Sequence, residues 1–252
     1  MVSYLVYMSK ICVVTLGFMN WRVMASSFKQ LYQTKILNWE HHVLDQHYPL
    51  NEKENRDSLK AMCKDYGAIL HDAGKNLGLH EGVNYLIRQS KPDIVIGYDP
   101  DSFPNRICWD EALTKVIDEN VVWSTLANPR TMGDIKARGY TEFTSNGVKL
   151  WKTKTAITNS VCAWSVPWLE SVGFVSESRP FYGHLETTMF GRLKNKSWVV
   201  LPEYSESDHL RHDHDKDYAL YKWAHAILRI WDGDFKSWLE AGKPHEEKIK
   251  IS

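Results

Sequence analysis

Residues 94–102 read IVIGYDPDS, an apolar run typical of a buried strand that ends in two carboxylates, Asp99 and Asp101. Ligands of open α/β sheets bind beyond the carboxyl ends of the strands. Two acids separated by a single residue repel each other unless a cation lies between them. The stretch therefore indicates a metal site at a strand end. The alternative interpretation is a solvated turn, because Asp-Pro-Asp-Ser is also favourable turn chemistry.

The composition is that of an ordinary globular protein. The chain has 252 residues, of which 43% are hydrophobic and 25% charged, enough for one large α/β domain. Its 31 basic and 31 acidic side chains cancel, which argues against a global basic surface for polyanions. The four cysteines form no Cys-x-x-Cys pair, so neither a zinc ribbon nor a disulfide framework is indicated.

The start of the chain is apolar but lacks a basic region and a small-residue cleavage site, which argues against a signal peptide. Apolar runs of about 18 residues, long enough to cross a membrane, do not occur in the sequence. We therefore expect a soluble, cytoplasmic protein without stable membrane insertion.

Strand and helix patterns alternate through the first part of the chain, which predicts an α/β fold with a doubly wound, mainly parallel, Rossmann-like sheet. We predict strands at 10–16, 41–45, 68–70 and 93–98, and helices at 21–34, 57–66 and 79–89.

The second part is less regular. We predict strands at 121–126, 149–151, 158–164 and 198–201, and helices at 111–119, 166–172, 185–193 and 218–231. The last helix has an apolar stripe that we interpret as a packing face. We divide the chain into a catalytic domain, 1–205, and a C-terminal loop and helical extension, 206–252, packed on it.

Four segments in this order resemble the GT-A glycosyltransferases, particularly the inverting glycosyltransferase family 2. The match covers most of the chain, and it is the order and spacing of the segments that carry it. The segments are Val13–Leu16 with Asn20–Arg22, then His42–Asp45, then Asn76–Asn84 followed by Asp99–Asp101, and finally Val172–Phe174 followed by His184–Leu193.

The resemblance implies a divalent metal that neutralises the diphosphate leaving group of a nucleotide-sugar donor. Asp99 and Asp101 would supply carboxylate oxygens, which suit Mn²⁺ or Mg²⁺ better than Zn²⁺. Such sites often take a further ligand from a late loop, and His209 and His212 are the candidates here.

The resemblance also implies a nucleotide site across the first strand ends, with a UDP-sugar as the expected donor. Thr15 and Asp45 would contact the base, and Asp99 would reach the metal or the ribose. The remaining predicted nucleotide contacts are Asp72, Lys75 and Arg211.

For inverting transfer, a carboxylate must accept the proton of the acceptor hydroxyl. We predict Glu186 as this base, with His184 as the second candidate. The alternative for Glu186 is a helix N-terminal acid that complements the macrodipole. The acceptor class is open: a glycan, a protein, a lipid-linked glycan or a modified nucleic acid.

Two other functions compete with glycosyl transfer. A nucleotidyltransferase has a similar sheet, but it usually carries a Gly-rich basic loop after the first strand, which residues 16–22 lack. A non-catalytic nucleotide- or sugar-binding domain is the other alternative. The presence of Asp99, Asp101 and Glu186 together argues against it.

Overall fold

In the computed structural model, we describe residues 9–18, 21–157, 161–176, 185–205, 208–209 and 216–244. The first part of the chain alternates strands and helices as predicted. Its elements are β1 (Ile11–Gly17), α1 (Trp21–Thr34), β2 (Glu40–Asp45), α2 (Glu52–Tyr66), β3 (Ile69–Asp72), α3 (Leu79–Ser90) and β4 (Ile94–Tyr98). Helix α2 begins earlier than predicted, because Glu52 and Glu54 form an acidic first turn.

The second part contains more elements than the sequence predicted. They are β5 (Ser102–Phe103), α4 (Trp109–Lys115), β6 (Val121–Leu126), α5 (Pro129–Arg138), β7 (Tyr140–Ser145), β8 (Val148–Thr153), β9 (Val161–Ser165), α6 (Val166–Ser171), α7 (Leu185–Phe190), β10 (Ser197–Val200), β11 (Asp208–His209), α8 (Lys216–Lys222) and α9 (Phe235–Glu240).

Two of the unpredicted elements carried sequence signals. Helix α5 starts with Asn128, whose side chain accepts from the Thr131 N–H, followed by Pro129 in the first turn. The β7–β8 hairpin turns at Asn146 and Gly147, both with positive φ, and Asn-Gly is the strongest short hairpin signal.

Among the described residues, nine strands form one sheet in the order β3-β2-β1-β4-β9-β6-β10-β8-β7, while β5 pairs with β11 in a small second sheet. All strands of the large sheet except β8 and β9 run in the same direction. The predicted mainly parallel sheet is therefore confirmed. The carboxyl ends of β1, β2, β3 and β4 meet at one edge, which we call the carboxyl edge.

Helices cover both faces of this sheet, because consecutive strand residues point to opposite sides. On one face, Val14, Leu44 and Val95 pack with α3, α6 and α7. On the other face, Val13 and Ile96 pack with α1 and α4, and Val43 packs between α1 and α2. The doubly wound arrangement follows from these two apolar faces.

The predicted helix at 218–231 is only partly correct. Helix α8 ends at Lys222, a π-helical turn covers Trp223–Ile227, and Arg229 then adopts a positive φ that ends the helical path. Ile227 and Leu228 are consequently exposed, whereas Leu220 and Ala224 are buried as predicted for a packing face. Within the described ranges, none of the helices combines the length and apolar composition that crossing a membrane requires.

Candidate active site

The two predicted metal-binding acids lie in a tight turn directly after β4, which we call the acid turn (residues 99–102). The Ser102 N–H donates to the Asp99 carbonyl at 3.0 Å. Although it is a carboxylate, Asp101 is only 2% exposed. The sequence alternative of a solvated turn is therefore wrong for Asp101.

Two hydroxyl groups fix the acid turn through hydrogen bonds to one backbone carbonyl. The Tyr98 hydroxyl donates to the Ser102 carbonyl at 2.6 Å, and the Ser27 hydroxyl of α1 donates to the same oxygen at 2.8 Å. Burial raises the pKa of Tyr98 well above its usual value, so the phenol stays protonated and remains a donor. Gln30, also on α1, donates to the Pro104 carbonyl at 2.9 Å. Helix α1 thus determines where the acids lie.

The late loop returns to this turn. Strand β11 pairs antiparallel with β5, so that His209 is opposite Ser102, the residue after Asp101. The two carboxylates of this turn provide the oxygen donors that a hard divalent cation accepts. The residues of this turn fit Mn²⁺ or Mg²⁺.

A second group of charged residues, which we call the ion-pair corner, lies at the ends of β2 and β3. Arg56 of α2 donates to Asp45 at 2.8 Å and to Asp72 at 2.7 Å. His47 contacts both acids, through its N–H to Asp45 at 2.9 Å and through its ring to Asp72 at 2.8 Å. The His47 hydrogen bond, followed by that of the Gly74 N–H, lowers the pKa of Asp72.

The ion-pair corner has the donor atoms of a metal cluster, since Asp45, His47 and Asp72 offer ligand atoms within 4.8 Å of one another. The Arg56 guanidinium already binds both carboxylates and offsets part of their charge, which argues against a further cation there. A buried carboxylate beside an arginine and a histidine is instead suited to polar groups of a nucleotide. Sequence reasoning missed Arg56, because α2 was predicted to begin only at residue 57, and it did not single out His47.

Gln46 is a further residue that the sequence did not single out. Its side chain is 1% exposed, accepts from the Leu77 N–H and donates to the Gly78 carbonyl, both at 2.8 Å. It therefore holds the loop between β3 and α3 against the carboxyl edge. Lys75, predicted as a nucleotide contact, is an exposed residue of this loop.

Thr15 does not reach the carboxyl edge through its side chain. Its hydroxyl is bonded to the His41 ring at 2.9 Å, and the residue is 1% exposed. Burial lowers the pKa of His41 to about 3, so this ring is neutral in the core. A contact between the Thr15 hydroxyl and a nucleotide would require this hydrogen bond to break.

The predicted base, Glu186, lies in the first turn of α7 and is partly exposed. The surroundings of Glu186 are indicated by Cys162 of β9. This cysteine is opposite Gly97 in register. The pKa of Cys162 is raised first by burial and then by the charges of Asp99 and Glu186. Both carboxylates are therefore within electrostatic range of one thiol.

Asn84 of α3 holds the segment that precedes α7. Its side chain donates to the Val175 carbonyl at 2.8 Å and accepts from the Val175 N–H at 3.0 Å. Asn84 belongs to the third of the family-like segments, and this contact gives it a structural role. Three predicted site residues, His184, Arg211 and His212, lie outside the described residues.

No protein-family model and no curated protein sequence matches the chain. Among solved structures, it is similar to the mannosyltransferase PcManGT from Pyrobaculum calidifontis in complex with GDP-Man and Mn²⁺, with a TM-score of 0.60 and 14% identity. It is also similar to GalNAc-T7 with UDP, GalNAc and Mn²⁺, with a TM-score of 0.62 and 10% identity. A third similar structure is S. aureus TarS 1-349 in complex with UDP-GlcNAc, with a TM-score of 0.56 and 12% identity.

These matches cover 96%, 96% and 84% of this chain, and 70%, 52% and 64% of the respective structures. The chain thus spans about half of GalNAc-T7 and just under two thirds of the TarS structure. At such low identity the likeness concerns the fold. The chain has the GT-A fold found in glycosyltransferases.

Proposed function

We propose that this protein is a metal-dependent, inverting glycosyltransferase that moves a sugar from a nucleotide-diphosphate donor, a UDP-sugar, to an acceptor hydroxyl. The observation that carries the proposal is the buried Asp101, held in a hydroxyl-fixed turn at the carboxyl edge of a GT-A fold. The structures with this fold named above contain GDP-Man, UDP or UDP-GlcNAc, and two of them contain Mn²⁺.

Asp99 and Asp101 would hold the metal, together with His209 or His212. When bound, the metal neutralises the charge that develops on the departing diphosphate. The hydrogen bonds from Tyr98 and Ser27 to the Ser102 carbonyl support this role, because they fix the acid turn before any ligand binds. Arg211 would add a positive charge near the diphosphate.

The ion-pair corner would bind the nucleotide. Asp45 would accept from a ring N–H of the base, and the bonds from Arg56 and the His47 backbone N–H hold its carboxylate in place. Asp72 and Lys75 would contact the ribose and phosphates at the rim. Gly78, at the start of α3, allows the backbone to come close to the ligand.

Glu186 would accept the proton of the acceptor hydroxyl as its oxygen forms a bond to the anomeric carbon, and His184 is the second candidate. The bond from that carbon to the diphosphate oxygen breaks on the opposite side, and the pair of electrons leaves with the nucleoside diphosphate. The charges of Asp99 and Glu186 both raise the pKa of the Cys162 thiol, which supports this assignment because both carboxylates then lie within electrostatic range of the same buried group.

The proposal is tested by incubating the full chain with UDP- and GDP-sugars and Mn²⁺, alone and with glycan, protein, lipid-linked glycan or modified nucleic acid acceptors. We expect Asp101→Asn to lower donor turnover at least about 100-fold, because several kcal/mol of charge stabilisation is lost. Asp118→Asn is the matched control, since Asp118 accepts from backbone N–H groups at the opposite end of the sheet.

Glu186→Gln separates the base from the metal site. This variant should keep donor and Mn²⁺ affinity, measured by calorimetry, while losing transfer to the acceptor. Wild-type turnover in Asp101→Asn, or full transfer in Glu186→Gln, would contradict the respective assignment.

A further inference from the structure

A second group of metal-ligating side chains lies on the amino-terminal side of the sheet, away from the acid turn. Cys12 of β1 is opposite Glu40 of β2 in register, and His42 follows two residues later on the same face. From Cys12 to Gly17 at the carboxyl edge, the strand runs about 16 Å. This group therefore shares no residue with the proposed catalytic site.

The distances in this group match those around a tetrahedral metal. The Cys12 sulfur lies 3.8 Å from Glu40 Oε2, and His42 Nε2 lies 3.4 Å from the same oxygen. All three ligand atoms lie within 4.8 Å of one another. Zinc bonds to sulfur, nitrogen and oxygen place tetrahedral ligands about 3.4–3.7 Å apart. The nitrogen–oxygen edge of 3.4 Å has this length, and the sulfur–oxygen edge of 3.8 Å is slightly longer.

We propose that Cys12, Glu40 and His42 form a zinc-binding site. A thiolate and an imidazole select Zn²⁺ over Mg²⁺ or Mn²⁺, which prefer oxygen ligands alone. The carboxylate of Glu40 completes a three-residue set and leaves a fourth position for water or a further ligand. Because the Glu40 side chain is half exposed, an ion can enter from solvent, whereas Cys12 and His42 are buried.

His71 of β3 acts as the positioning residue of this site. Its Nε2 lies 2.9 Å from His42 Nδ1, and the two rings stack at a centroid distance of 5.2 Å. With the proton on His42 Nδ1, the bond to His71 leaves Nε2 of His42 directed towards Glu40 with its lone pair available. Ligating histidines commonly donate their other ring N–H in this way.

Lys10 is the group that a zinc ion must displace. Its ammonium lies 3.0 Å from Glu40 Oε2 and donates to the Ser90 carbonyl at 2.7 Å. This exposed ion pair is weak and screened by salt, so it is a modest competitor for a divalent cation. Removing the lysine charge should therefore strengthen zinc binding. This effect is not expected if Cys12, Glu40 and His42 only stabilise the fold.

The test measures Co²⁺ and Zn²⁺ binding to the purified full chain, with Co²⁺ as a spectroscopic substitute. We expect a near-ultraviolet thiolate-to-cobalt band that Zn²⁺ abolishes. We also expect a Zn²⁺-dependent rise in Tm, since zinc binds the folded state. Cys12→Ser should remove the band, and Glu40→Gln and His71→Ala should each weaken Zn²⁺ binding about 10- to 100-fold. Lys10→Gln should strengthen it.

The matched control is Cys63→Ser, because Cys63 is another buried free cysteine, on α2 where that helix packs with α1. This variant should keep the band, and so should Asp101→Asn, which removes the proposed catalytic ligand instead. The proposal is overturned if the band is missing in the wild type or survives Cys12→Ser. If Cys12→Ser does not fold, unchanged Zn²⁺ affinity in the half-exposed variant Glu40→Gln overturns it equally.

Discussion

The acid turn and the ion-pair corner lie at the same edge of the sheet, but they are held in different ways. Neutral hydroxyl groups of Tyr98 and Ser27 fix the acid turn through one backbone carbonyl. Charges hold the corner, where Arg56 bridges Asp45 and Asp72. Hydrogen bonds between neutral groups are insensitive to salt and to pH near neutrality, whereas partly exposed ion pairs are screened.

This difference matches what each region would bind. A metal requires ligands in a fixed arrangement, and a turn fixed by neutral donors retains that arrangement without the ion. A nucleotide base arrives with its own donors and acceptors, and ion pairs at a partly exposed rim can rearrange to meet them. The acid turn is thus built for rigidity and the corner for adjustment.

The largest effect is expected from Gly97→Ala, two residues before the acid turn. An added Cβ would lie 2.6 Å from a ring carbon of Trp164 and 3.4 Å from the Cys162 sulfur. Because Trp164 is buried, the strand must shift, at a cost of about 3 kcal/mol in the free energy of unfolding. Urea unfolding measures this cost.

Gly133→Ala is the control for this prediction, because nothing lies within 4 Å of its added Cβ inside helix α5. It should stabilise the protein by about 0.5–1 kcal/mol. Equal effects of the two substitutions would show that packing against Trp164 does not support the acid turn.

Arg56→Ala should lower the free energy of unfolding by about 2 kcal/mol, because it leaves the buried Asp45 carboxylate of the ion-pair corner without its cation. Arg88→Ala, which breaks an exposed pair with Glu81, should cost less than about 0.5 kcal/mol. Denaturant titration of both variants makes the comparison. A cost for Arg56→Ala as small as that of Arg88→Ala would contradict the importance of the corner.

Much of this arrangement was predictable from periodicity. Helix α1 has the predicted bounds, and β4 ends at the predicted acids, because long apolar patterns reflect burial directly. The roles of Arg56 and Gln46 were not predictable, since they depend on which strand ends become neighbours in space. The zinc cluster was missed for the same reason: its ligands come from two adjacent strands, so their spacing in sequence carries no signal.

Tyr98→Phe should loosen the acid turn at small cost in stability, about 1 kcal/mol, because the Ser102 carbonyl keeps the Ser27 donor. We expect a roughly 10-fold loss of Mn²⁺ affinity in calorimetry, typical of removing a residue that orients metal ligands. Tyr32→Phe is the matched control, since its hydroxyl bonds the buried His41 at 3.2 Å. An equal loss of Mn²⁺ affinity in both variants would argue against a specific role of Tyr98.

The smallest effect concerns Asp72, whose pKa is lowered by His47 and the Gly74 N–H. A carboxyl group with a lowered folded-state pKa stabilises the protein above its ordinary value of 3.8, and this contribution is lost as the pH falls below it. Because the side chain is 45% exposed, the contribution is below about 1 kcal/mol and should shrink in about 1 M salt.

Urea unfolding between about pH 3 and pH 6 measures this contribution. The free energy of unfolding should fall less steeply with decreasing pH in Asp72→Asn than in the wild type. The slope of Asp57→Asn, which loses a more exposed pair with Lys53, should change less. If the two variants change alike, the ion-pair corner is no more than an ordinary surface ion pair.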